Sequence, residues 1–121
     1  MLNIGWFSTG RGEGSRGLLN FVQQRLIETG ADARINFVFS NRERGEAEGS
    51  DEFFGLVDGY NIPLVTHSSS AFRRNTGGRF SEHREEFDQQ VMDKLASTEA
   101  DVCVLAGYML IVSGKMCRQY P

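Results

Sequence analysis

The chain has 121 residues, 40% hydrophobic and 24% charged, with a formal net charge of -3 and an isoelectric point of about 5.4. That length makes residues 1–121 one domain or part of one, able to bury a core without disulfides or a structural metal. The mild acidity argues against a nucleic-acid binder, and no apolar run reaches the length of a membrane span.

Cys103 and Cys117 form neither a zinc spacing nor a CxxC pair, so no metal site and no oxidising compartment are expected. The opening MLNIGWFS has neither the basic nor the long apolar region of a signal peptide, and a cytoplasmic location is expected.

The first strand is Leu2 to Phe7, apolar and bounded by small residues. Residues 18–28 (LLNFVQQRLIE) carry a helical stripe of Leu18, Leu19, Phe21, Val22, Leu26 and Ile27, with Gly30 as the stop. Residues 34–39 (RINFVF) read as the second strand, followed by the charged loop 41–52. Ser50, backed by Asp51 and Glu52, is expected to cap a second helix that ends at Asp58 and Gly59. Residues 62–65 (IPLV) read as a third strand, with Pro63 at an early or edge position. Residues 67–80 read as a long polar loop, and 81–96 as a helix with Phe87, Val91 and Leu95 four apart. Residues 102–105 (VCVL) are the fourth strand, and Ser113 caps a last short helix running to Tyr120 and Pro121.

This alternation predicts an α/β fold, a Rossmann-like parallel sheet with helices on both faces. Right-handed crossovers then bring four strand exits to one carboxyl edge, where ligands of such sheets collect. The exits are the glycine-rich segment 8–17, Ser40 to Arg42, Thr66 with His67, and Ala106 to Met109.

STGRGEGSRGLL, residues 8–19, contains a literal GxGxxG at Gly12, Gly14 and Gly17. A dinucleotide site also wants an acidic residue after the second strand, where this chain has Ser40, Asn41 and Arg42. NAD is therefore disfavoured, while Arg42 leaves NADP open. A triphosphate loop fails, because Leu18 and Leu19 stand where Lys and Ser/Thr are needed. What remains is a backbone nest for one phosphate at Gly12, Gly14, Ser15 and Arg16, or a glycine turn with no ligand.

Residues 106–112 (AGYMLIV) are too apolar for an ordinary loop. They read either as a strand extension in the core or as a wall for a flat aromatic ligand, with backbone groups bonding the ring edge. His67 and His83 lack a nearby nucleophile and read as non-catalytic, and HREE at 83–86 as a solvated helix start.

Together the Gly-Ser loop, FSN at 39–41, YNIPLV at 60–65, HREEFD at 83–88 and ADVCVLAGYMLIVSGKMCRQYP at 100–121 resemble the phosphoribosylglycinamide formyltransferase family over essentially the whole chain. The resemblance implies the N-terminal half of the formyltransferase fold. It also implies formyl transfer from 10-formyltetrahydrofolate to the amine of a phosphate-bearing acceptor in purine biosynthesis, without metal or nicotinamide. It places the phosphate loop on Gly14, Ser15 and Arg16, the folate contacts on Met109, Leu110, Ile111 and Val112, and a folate-tail contact on Arg84. That last assignment turns 83–86 from a solvated face into a ligand contact.

Three departures from the family stand out: a longer glycine loop, Arg16 in place of Asn, and Leu110 in place of Arg. The family's catalytic Asn, His and Asp follow the equivalent of Tyr120 and Pro121, so the resemblance implies no catalytic residue within 1–121. The chain alone is expected to be inactive, to present an open sheet edge where a next strand would pair, and to be part of a longer protein or to self-associate. A formyltetrahydrofolate deformylase, another amine or sugar formyltransferase, an NADP-binding Rossmann domain, and a non-catalytic remnant serving only as a binding or assembly module are the rival readings.

Overall fold

Leu2–Phe7 forms β1, an inner strand of the sheet in the computed structural model, which describes residues 1–119. β1 pairs in parallel with β2 (Ala33–Ser40) on one side and with β4 (Val102–Leu105) on the other. β3 (Leu64–Thr66) pairs with the far side of β2, giving the order β3-β2-β1-β4. The connecting helices are α1 (Glu13–Thr29), α2 (Glu48–Gly59), α3 (Ser69–Thr76), α4 (Arg84–Lys94) and α5 (Gly114–Gln119). The expected Rossmann-like α/β sheet is what forms.

The register of β1 on β2 slips between Ile4 and Gly5, which makes Asn36 an extra residue in β2. Ile35 and Val38 therefore face α1 and α2, while Phe37 and Phe39 face α3, α4 and α5. Two cores result. One joins Trp6, Leu19, Ile35, Val38, Phe53, Phe54 and Val57; the other joins Phe7, Phe37, Phe39, Phe72, Phe87, Val91 and Leu95. Phe53, Phe54 and Val57 anchor α2, each by roughly 1.5–3 kcal/mol of apolar burial.

Several boundaries differ from the sequence expectations. α1 begins at Glu13 rather than Leu18, because Gly12 takes the extended N-cap position and Gly14 and Gly17 continue the helix. Packing against the sheet outweighs the roughly 1 kcal/mol per glycine that propensity opposes. Of the predicted stripe only Leu19 is fully buried, with Val22 and Leu26 packed beside it, whereas Leu18, Phe21 and Ile27 are exposed. Ser50 does not cap α2; Ala47 holds that position and Ser50 is buried inside the helix. The predicted loop 67–80 contains α3, capped by Ser68, whose Oγ accepts from Ala71 N at 3.0 Å. The predicted helix 81–96 splits into a short 3-10 turn, Phe80–Glu82, and α4.

Pro63 precedes the edge strand β3, and its carbonyl accepts from Val38 N at 2.9 Å. β4 is the other edge, with Val102 and Leu105 exposed. Ser113 caps α5 as expected, its Oγ accepting from Met116 N at 3.2 Å; Tyr120 and Pro121, the expected end of that helix, lie outside the described residues.

Gly49, in the first turn of α2, sets how close the glycine loop comes to this helix. A side-chain carbon there would lie 2.1 Å from the backbone oxygen of Arg11. Gly49→Ala must push the loop away and is expected to destabilise the chain by about 1–3 kcal/mol, the range of core overpacking. Urea unfolding checks this: the midpoint should fall at constant slope, and an unchanged midpoint would contradict the contact.

Candidate functional site

The exits of β1, β2 and β3 carry polar residues, and at the carboxyl edge these join one another and the backbone that follows β4. Thr9 Oγ1 donates to Asn41 Oδ1 at 2.7 Å, and Asn41 Nδ2 donates to Ser69 Oγ at 3.0 Å. The same Thr9 hydroxyl accepts from Met109 N at 3.0 Å, and Thr9 N donates to the Gly107 carbonyl at 3.0 Å. Ser40 Oγ and Ser50 Oγ both donate to the Thr9 carbonyl, at 3.3 and 3.4 Å. Thr9, Ser40, Asn41, Ser50 and Ser69 are all buried, so the side chains of this hydrogen-bonded layer are shielded from water, and through the backbone of Gly107 and Met109 the layer also reaches the exit of β4.

The predicted phosphate residues sit at the start of α1. Gly12 is the N-cap with no side-chain cap, and Gly14, Ser15 and Arg16 form the first turn. Added side-chain carbons at Gly12, Gly14 or Gly17 would meet nothing within 4 Å, so this backbone is open to approach. Arg16, however, is turned to α2: its Nη2 lies 3.0 Å from Glu52 Oε2 and its Nη1 donates to the Gly49 carbonyl at 3.4 Å.

Gly107 links this turn to the exit of β4. Its φ of +72° favours glycine, and a side-chain carbon there would come within 2.8 Å of Ser15 Oγ. The sequence-predicted phosphate and folate segments are therefore neighbours.

Residues 106–112 are not a strand extension, since β4 ends at Leu105. The segment alternates nonetheless: Tyr108, Leu110 and Val112 pack on the second core, while Met109 and Ile111 are 70% and 69% exposed. Of the expected wall, Met109 and Ile111 present side chains outward, and Leu110 and Val112 offer mainly backbone. At the far end, Ser113 N donates to the buried carboxylate of Asp88 at 2.6 Å. Arg84, half-buried at the start of α4, shares an open cleft of about 380 Å³ with Val112, Ser113 and Gly114. Its Nε is buried without a hydrogen-bond partner among the described residues.

Neither histidine joins the glycine loop. His67 stacks on Phe87 with ring centroids 5.0 Å apart and bonds Gln90 Oε1 at 2.7 Å; His83 Nδ1 lies 3.3 Å from Glu86 Oε1. Arg42, the residue offered to NADP, is half-buried, and its backbone N donates to Ser40 Oγ at 3.2 Å. Among the described residues no three His, Cys, Asp or Glu side chains are gathered for a metal, and no helix is long and apolar enough to cross a membrane. A larger cleft of about 620 Å³ lies at the amino end of β4, lined by Met92, Asp93, Thr98, Asp101 and Lys115, away from every predicted site residue.

Sequence reasoning missed Thr9, Ser69 and Asp88. The signal for the first two was a short polar residue just beyond an apolar strand. Asp88 offered no such signal: it lies inside α4, where an acid reads as solvent-facing.

A parallel sheet with helices on both faces defines a Rossmann-like domain, the kind of sheet whose ligands collect at the carboxyl edge. The chain belongs to the formyl transferase family, whose family model matches residues 9–121. Among solved structures it is similar to a phosphoribosylglycinamide formyltransferase from Bacillus halodurans, with a TM-score of 0.69 and 17% identity over 98% of this chain and 51% of that one. A second such enzyme, from Coxiella burnetii, gives 0.63 and 21% over 98% and 47%. A formyltetrahydrofolate deformylase from Pseudomonas putida KT2440 gives 0.62 and 18% over 97% and 34%. The chain thus spans about half the length of the first two and a third of the last. No curated protein is significantly similar in sequence.

Tyr108 gives the site a pH signature. Burial, and secondarily the Asp88 charge, pushes its phenol well above the ordinary value of 10.0, and its hydroxyl has no hydrogen-bond partner among the described residues. The folded chain keeps this proton where the unfolded chain has lost it. The Tyr108 contribution to stability is therefore full below pH 10 and falls as the pH rises beyond it. Burial raises the Cys103 thiol from 9.0 to about 11, which adds a loss of the same sign between those values. Tyr108→Phe is expected to stabilise the chain by about 1 kcal/mol at neutral pH, by removing an unpartnered buried hydroxyl, and to flatten the alkaline decline. Urea midpoints from pH 7 to 11 check both, and an alkaline profile unchanged from wild type would refute the assignment.

Proposed function

We propose that this chain binds both reactants of a folate-dependent formyl transfer, from 10-formyltetrahydrofolate to the amine of phosphoribosylglycinamide in purine biosynthesis. The observation that carries the reading is the run from Ser15 past Gly107 and residues 109–112 to Arg84. It puts an open helix start, a strip of backbone unpaired among the described residues and a half-buried cation along one edge.

In this reading the flat pterin ring lies against Met109 and Ile111, and its donors and acceptors meet the backbone of Leu110, Ile111 and Val112. Arg84 takes the carboxylate tail. The acceptor's phosphate rests on the backbone N–H groups of Glu13 and Gly14, where the helix dipole favours an anion. The acceptor nitrogen attacks the formyl carbon to give a tetrahedral adduct. Collapse breaks the bond to N10 of the folate, and the proton lost by the amine is returned to N10. This chain's part is to hold amine and formyl group in reach, which lowers the entropic barrier. Proton transfer and oxyanion stabilisation are assigned to the half of the neighbours' fold that this chain does not span.

The pairing of Arg16 with Glu52 favours one second reading, a formyltetrahydrofolate deformylase. It keeps the folate strip, replaces the amine by water and needs no phosphate site.

Titration of the ¹⁵N-labelled chain with 5-formyltetrahydrofolate, a stable reduced folate, is expected to shift the amides of Met109, Leu110, Ile111 and Val112 and the side chain of Arg84. The cleft around Asp93 and Lys115 should stay silent, and no shift at 109–112 would end the folate reading. Phosphoribosylglycinamide should perturb Gly12, Gly14, Ser15 and Arg16. Glu52→Gln, which frees Arg16, should tighten that binding by about threefold, the scale of a partly exposed ion pair. Folate shifts without any response to the phosphorylated amine would favour the deformylase.

A further inference from the structure

We infer that Thr9 and Asp88 are positioning residues, a pair of buried clamps that hold residues 109–112 in one conformation ready for ligand; the inference rests on the folate assignment of that segment. Met109 N, at its start, donates to Thr9 Oγ1 at 3.0 Å, and Ser113 N, just past its end, donates to Asp88 Oδ2 at 2.6 Å. Both side chains are 1% exposed.

Between the clamps the chain bends at Leu110 and pairs with no strand among the described residues. Leu110 and Val112 point into the second core and Met109 and Ile111 point out. The backbone N–H groups of Leu110, Ile111 and Val112 make no hydrogen bond to another described residue. A strip of free donors and acceptors beside two exposed apolar side chains suits the edge of a flat heteroaromatic ring.

The clamps are directional. The Thr9 proton is committed to Asn41 Oδ1, whose amide is oriented in turn by Ser69 Oγ. The Thr9 lone pairs are therefore left for Met109 N, and the hydroxyl cannot rotate away without breaking the chain. At the other end the bond to a carboxylate is charge-assisted and short. Apolar packing of Leu110 and Val112 alone would keep the segment near the core but would not fix which way its amides face. Fixing that before the ligand arrives removes an ordering cost from binding.

The test uses the 121-residue chain, amide hydrogen exchange and 5-formyltetrahydrofolate. In wild type, the Met109 and Ser113 amides should exchange more slowly than those of Leu110, Ile111 and Val112; uniform exchange across 109–113 overturns the clamp without any variant. Thr9→Val and Asp88→Ala should speed exchange at Met109 and Ser113 respectively, and each should weaken folate binding by about tenfold, the effect of one lost buried hydrogen bond. Thr9→Ser and Asp88→Asn, which keep an acceptor oxygen, should restore both properties, a rescue that general destabilisation would not produce. Wild type that fails to bind the folate overturns the folate reading. Wild type that binds, with folded Thr9→Val and Asp88→Ala binding equally well, overturns the positioning role.

Discussion

The hydroxyl of Thr9 is the point on which the carboxyl edge depends. It is buried, so it must find partners inside the protein, and it finds them on two different strand exits at once. Its donor side fixes Asn41 after β2, and through Asn41 the start of α3 beyond β3. Its acceptor side fixes Met109 beyond β4. The Thr9 carbonyl adds Ser40 and Ser50, which ties α2 to the same residue. The four strand exits therefore take one mutual arrangement, because any other leaves a polar group both dry and unpaired.

The hydrophobic layers set a coarser frame around that node. The extra residue in β2 puts Phe37 and Phe39 on the face of α3 and α4, and Ile35 and Val38 on the face of α1 and α2. Apolar burial is non-directional, and it tolerates small slides of helix on sheet. The bonds through Thr9, Asn41 and Ser69 remove that freedom at the one edge where geometry matters for a ligand. Gly49 and Gly107 complete the constraint from outside. One lets α2 approach the Arg11 carbonyl, and the other lets β4's exit approach Ser15.

Much of this was legible in the sequence. Apolar runs bounded by small residues located β1, β2 and β4, and alternation with helical stripes gave the parallel sheet. The helix starts were less legible. Gly14 and Gly17 lower helix propensity, so α1 looked as if it began five residues later than it does; burial of Leu19 decides the matter, and burial is a tertiary fact. α3 hid in a polar stretch because its single anchor, Phe72, makes no stripe. At the site, residue types pointed to the right segments but not to their pairings. Arg16 was legible as a cation near the glycine turn, whereas its attachment to Glu52, 36 positions away, was not.

The two ends of the edge differ in how they are held. Residues 109–112 are set by hydrogen bonds to side chains that water does not reach, so their geometry is fixed before any ligand binds. The glycine turn is set differently: its charged member is held by a carboxylate whose side chain is 53% exposed, a contact that solvent and salt weaken. An anion at Gly12 and Gly14 would compete with Glu52 for Arg16, and the exchange of one carboxylate for another anion is nearly balanced in energy. In the proposed reading the folate end is therefore pre-formed and the acceptor end adjustable. The same domain could then keep one formyl donor while small changes around Arg16 and Glu52 select among acceptors.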